Sequence, residues 1–118
     1  MRRAGALLAV TLVVLGCTTS QSRFVPLGAT THPPRPENCD AEILTRPPTR
    51  DFERIARIDV HLEWSGYFEP RLADAVPELR KQACRAGADA VTEIEEQRGS
   101  HIETKRYHVI GTGIKYRN

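Results

Sequence analysis

No stretch of this 118-residue chain stays apolar over the roughly 20 residues that a membrane-spanning helix requires. The nearest approach, residues 4–15, is interrupted only by Gly5 and Thr11 but is too short for that purpose. Cysteine is scarce: there are three, none in a Cys-x-x-Cys pair, which removes the compact thiol arrangements of dithiol redox centres and zinc clusters. Ser20, Ser22, Ser65 and Ser100 stand in no nucleophile motif. Gly111-x-Gly113 lacks the strand-to-helix setting that a phosphate-binding loop needs. No catalytic residue and no cofactor follow from these patterns, and the chain reads as a non-enzyme.

What is present begins with the N-terminus. Arg2 and Arg3 precede the apolar run, the order of a secretory signal over residues 1–16. The run ends in Val14-Leu15-Gly16-Cys17, which resembles the lipobox of bacterial lipoproteins, with Val14 and Leu15 in place of the commoner leucine and small residue. The resemblance implies cleavage before Cys17, a diacylglycerol thioether on its sulfur and an acylated amine. Several acyl chains anchor firmly where one is marginal, since each buried methylene contributes about 0.8 kcal/mol. The lipid bilayer is therefore the first expected partner. In Gram-negative lipoproteins an aspartate after the cysteine commonly retains the protein in the inner membrane. Thr18 stands there instead, which implies the periplasmic face of the outer membrane.

Neither charge dominates once the leader is gone. The whole chain is formally +2, and losing Arg2 and Arg3 leaves fifteen Lys plus Arg against fifteen Asp plus Glu. No basic stripe survives to neutralise phosphates, so the balance gives no support to a nucleic-acid partner. The remaining length suffices for one small core and not for two domains.

Residues 17–38 show no apolar period. Pro26, Pro33, Pro34 and Pro36 stiffen them, so they read as a lipidated, proline-rich tether holding a module of residues 39–118 away from the bilayer. Within the module, residues 41–44 suggest a short strand closed by Pro47-Pro48. Ile58, Val60, Leu62 and Trp64 alternate with Arg57, Asp59, His61 and Glu63, the period of a strand with one dry and one wet face. Asp74 is positioned to cap a helix over residues 75–86, with Pro77 in its first turn and Gly87 as its stop. Val76, Leu79, Ala83 and Ala86 form its apolar stripe, while Arg80, Lys81, Gln82 and Arg85 lie around the rest. Residues 88–94 and 107–116 read as the last two strands. Gly99-Ser100 marks the loop between them, and Gly111 and Gly113 suggest a bulge or a close backbone approach. The expected fold is α+β: a small mixed or antiparallel sheet against one main helix, in the order β-β-α-β-β.

With Cys17 committed to lipid, Cys39 and Cys84 are an even pair in an exported chain with a small core, and are expected to form a structural disulfide. Trp64, Tyr67 and Phe68, between strand and helix, are the candidate partner surface, with core packing the competing role for Trp64. His61 with Glu63 and His101 with Glu103 share strand-face spacing, but such alternation is ordinarily solvated, and no metal site is expected from it.

The helix ending in Leu79-x-x-x-Ala83, then Gly87-Ala88-Asp89-Ala90-Val91, then Gly111-Thr112-Gly113-Ile114, resembles a group of small bacterial α/β modules. The group includes the YbjQ-like proteins and the periplasmic domain of the lipoprotein RcsF, which senses envelope stress. The resemblance spans roughly residues 41–116 and implies structural roles: a tight helix-to-strand turn at Gly87, held by Asp89, and a buried strand from Ala90-Val91. RcsF has two disulfides in its folded domain, whereas this chain can make one. The resulting expectation is an anchored envelope module that contacts another protein or a cell-wall component, with stress sensing as one form of that role. A purely structural lipoprotein is the alternative, and a metal or small-ligand binder is a more distant one.

Overall fold

The computed structural model describes residues 18–65 and 68–118, so the leader, Cys17 and Tyr67 lie outside the described residues. In chain order the elements are strand β1 (Thr18–Pro26), strand β2 (Glu42–Ile43), strand β3 (Phe52–Ser65), helix α1 (Leu72–Arg85), strand β4 (Ala90–His101) and strand β5 (Thr104–Tyr116). They build one mixed five-stranded sheet in the spatial order β1-β3-β5-β4-β2, antiparallel except for the parallel β2–β4 pair. The α+β class with one main helix stands. The observed order, β-β-β-α-β-β, has one strand more than expected.

The two-residue period of β3 positions everything else. Ile58, Val60 and Leu62 are buried, and directly across in β5 lie Gly111, Val109 and Tyr107, all on the face that receives α1. Burying a side chain of this size contributes about 1.5–3 kcal/mol. The helix and its C-cap supply Ala75, Leu79, Ala83 and Ala86 to the same core. Gly111 sets how closely the layers approach: a Cβ there would lie 2.6 Å from Val91 Cγ1 and 3.6 Å from Leu79 Cδ2. The close approach expected at Gly111 is therefore real, but it is made by side chains of β4 and α1. The nearby bulge falls in β4, where Glu93 and Ile94 together oppose Gly111. Glu93 takes φ 53° and pairs outward with Arg54 at 2.5 Å, while Ile94 packs against the core.

Residues 18–26, expected in the tether, are instead the edge strand β1, paired with β3 over its whole length. No apolar period marks these residues, because β1 is held by its pairing with β3 and by polar bonds to α1. Ser22 Oγ donates to the Glu78 carboxylate and accepts from Gln82 Nε2 at 2.9 Å. Gln82, expected on the solvent side of α1, is consequently buried.

The residues after β1 are not free either. Arg35 N–H donates to Cys84 O at 2.7 Å, and its guanidinium reaches Ala88 O at 2.9 Å and Asp40 at 2.8 Å. This strap satisfies a carbonyl in the last turn of α1 with a backbone N–H, and its guanidinium holds the chain just beyond the helix. Gly87 (φ 77°) turns the chain there, and a Cβ on it would come within 2.5 Å of Pro33 O. Asp89 accepts the Tyr116 N–H at 2.9 Å, tying the turn to the end of β5. The Cys39–Cys84 disulfide closes the same corner, with Cα atoms 5.8 Å apart.

Element boundaries differ from the sequence reading at the helix start and around the last hairpin. The helix begins three residues before Ala75: Asp74 lies in its first turn and accepts the Arg71 N–H at 2.8 Å. Pro77 therefore falls in the second turn. Gly99 and Ser100 lie inside β4, and the hairpin turns at Ile102-Glu103.

Candidate functional site

One helix and one sheet make up the regular structure of the described residues, so the second sheet face has no helix or strand packed on it. Its centre is a charged network. Asp59 on β3 is only 3% exposed although it points away from the helix. Arg23 stands directly opposite on β1, its Nε 4.0 Å from Asp59 Oδ2. Arg57, two residues back on β3, brings its Nε to 3.5 Å of the same oxygen. His108 on β5 places Nε2 3.1 Å from Asp59 Oδ1. His61, across from His108 in the register, stacks on it with ring centroids 3.8 Å apart and planes 14° from parallel.

A buried carboxylate is costly unless paired, and here three strands converge their cations and donors on one. The outcome is a pre-set surface. Both guanidinium groups remain largely exposed, held at Nε and leaving their terminal nitrogens to solvent or a partner. The His61 pKa is pushed below the ordinary histidine value, first by burial and then by His108, while Asp59 and Glu63 pull it upward. Stacked imidazoles over an ion-paired aspartate can recognise polar groups. The network holds no hydroxyl or thiol for a histidine to activate as a nucleophile. Towards the hairpin a shallow groove of about 250 Å³ continues the surface, lined by His61, Glu63, Gln97, Arg106 and His108.

The structure separates the residues singled out from the sequence. His61 meets His108, and His101 pairs across the hairpin with Thr104, so the two His–Glu pairs do not converge. Among the described residues no three His, Cys, Asp or Glu side chains are grouped as a metal site. Trp64 is half-buried and packs against the core, with no hydrogen-bond partner for its enclosed Nε1 among the described residues. Phe68 is 84% exposed. The candidate trio is thus split between core edge and solvent, with Tyr67 outside the described residues. Sequence reasoning missed Arg23 and His108, which come from an edge strand taken for tether and from a strand 49 residues away. The available signal was Asp59 itself, a poor strand former set between Ile58 and Val60.

No protein-family model and no curated protein matches the chain. Among solved structures, the crystal structure of the Francisella virulence factor FvfA in its orthorhombic form is similar, at 10% sequence identity and a TM-score of 0.51. The match covers 79% of this chain and 97% of that one. At that identity the likeness concerns the fold alone.

Proposed function

We propose that this chain is a lipid-anchored protein of a bacterial cell envelope. In this reading it is non-enzymatic and contacts an envelope protein or a cell-wall component through the open face of its sheet. The observation that carries the contact is the network around Asp59: a buried carboxylate presenting Arg23, Arg57 and paired histidines on a face without a covering element. Anchorage rests on the leader and on Val14-Leu15-Gly16-Cys17. The Cys39–Cys84 disulfide suits an oxidising compartment. Among the described residues no helix is long and apolar enough to cross a membrane. Thr18 after the cysteine favours the periplasmic face of the outer membrane. The Gly87–Asp89 turn, with Ala90 and Val91 buried behind it, supports kinship with the YbjQ-like and RcsF-like modules, and through it a role in sensing envelope stress.

The test is made in intact cells. A photo-crosslinking residue at Gln97 on the open face is expected to give one adduct of defined mass. The same residue at Arg85 on the helix is expected to give none. Cys17→Ser should lose lipid label and leave the membrane fraction. Equal labelling from both faces would remove the open face from the reading, and a membrane-bound, unlabelled Cys17→Ser variant would remove the anchor.

A further inference from the structure

We infer that the end of the sheet carrying the β4–β5 hairpin rests on the bilayer, with Ile102 and Phe68 entering its interface. The inference depends on the proposed lipidation of Cys17. Thr18, covalently next to that cysteine, already pairs with Trp64, so no slack separates the acyl chains from the sheet. Trp64 pairs in turn with Lys105, which puts the anchor at the end of the sheet where the hairpin turns. Ile102 lies three residues beyond Lys105, roughly 10 Å farther at the usual strand rise. Interfacial segments commonly bury their apolar groups about 5–10 Å deep, a comparable distance.

The chemistry of this end agrees with its position. Ile102 is 90% exposed and holds φ 57°, a conformation that β-branched residues strongly avoid. In water such a residue is strained and also leaves its apolar side chain unburied. An apolar environment at the tip would account for its presence. Phe68, the other strongly exposed apolar side chain, belongs to the same end, because Arg98 of β4 donates to Pro70 O at 2.6 Å. Between these tips lies a cleft of about 670 Å³ whose charged lining is Glu69, Glu103, Arg98, Lys105 and Arg106. Its mixed charges, with one more basic than acidic side chain, suit a headgroup layer of zwitterionic and anionic lipids. The opposite end offers Val25, 46% exposed, but it lies seven residues along β1 from Thr18, roughly 23 Å away.

Trp64 is the single tryptophan of the chain, so emission can be assigned. Full-length protein, lipidated in cells and purified from membranes, is reconstituted into phosphatidylethanolamine–phosphatidylglycerol vesicles with brominated acyl chains. In a Trp64→Phe background, Ile102→Trp is expected to be quenched at least about threefold more than Val25→Trp, as interfacial depth requires. Protein that floats with the vesicles but shows equal quenching at both positions, or stronger quenching at Val25→Trp, overturns the orientation and leaves the anchor intact. Protein that neither carries lipid nor floats overturns the anchor and the orientation together. Should the Trp64→Phe background fold poorly, Ile102→Asp in the otherwise unchanged chain gives a second reading. It is expected to reduce bromolipid quenching of Trp64, and unchanged quenching counts against insertion of the tip.

Discussion

The two ends of the sheet differ in construction. At the strap end, the disulfide, Arg35, Pro33 against Gly87 and the Asp89–Tyr116 bond all meet at the C-terminus of α1. At the hairpin end, β4 is exposed from Glu95 to His101, the turn is strained at Ile102, and Phe68 stands in solvent. Cross-links and buried bonds were concentrated where the chain must stay shut. The other end keeps apolar groups exposed at a cost in stability, which is the usual mark of a surface shaped by contact and not by folding.

The largest expected effect breaks the strap end. Cys39→Ala with Cys84→Ala removes a cross-link spanning a sequence separation of 45. For that loop the chain-entropy relation gives a loss of about 4 kcal/mol, an upper figure since measured values often fall short. Urea unfolding of residues 18–118 measures it. A loss below about 1 kcal/mol would show that Arg35 and the Pro33–Gly87 contact hold the corner without the covalent bond, and the contrast between ends would lose its main element.

A smaller effect of opposite sign belongs to the hairpin end. Ile102→Asn places in the left-handed region a residue that tolerates it, and no buried contact is lost at so exposed a position. The lipid-free protein should gain about 1 kcal/mol in urea unfolding. The same substitution should weaken interfacial insertion, so stability and bilayer contact should move in opposite directions. A loss of stability would mean that Ile102 packs on something in solution, and the tip would no longer stand as the yielding end.

Legibility divides along the same line. The alternation of Ile58, Val60 and Leu62, the pairing of Cys39 with Cys84 and the stop at Gly87 were readable because each rests on local periodicity, parity or a single backbone requirement. β1 was hidden, since Thr19, Ser20, Gln21 and Ser22 carry no apolar pattern and gain their place only by pairing with β3 and bonding to Gln82. Gly99-Ser100 resembled a turn, yet the chain bends at Ile102-Glu103, against local preference. The Asp59 network was illegible for a different reason. Nothing near Asp59 in sequence announces Arg23 or His108: Arg57 reaches the carboxylate along its own strand, but β1 and β5 must both pair with β3 before the second cation and the imidazole join it.

His61, where the hairpin half of the open face begins, carries the smallest prediction. Burial and His108 lower its pKa in the fold, with a further push down from Arg23, and Asp59 and Glu63 only partly offset them. A histidine whose folded pKa lies below its unfolded value takes up a proton more readily in the unfolded chain, so protons favour unfolding. Its contribution is therefore whole above the unfolded value of about 6.5 and is lost as pH falls from there through the lower folded value. The ring is mostly exposed and solvent screens it, so the change between pH 7.5 and 5 should stay below about 0.5 kcal/mol. His61→Gln should flatten that part of the stability profile, while Ile102→Asn, which adds and removes no titrating group, should shift the profile without changing its slope. An unaltered slope in His61→Gln would assign the acid sensitivity to other groups and leave the stacked histidines as packing alone.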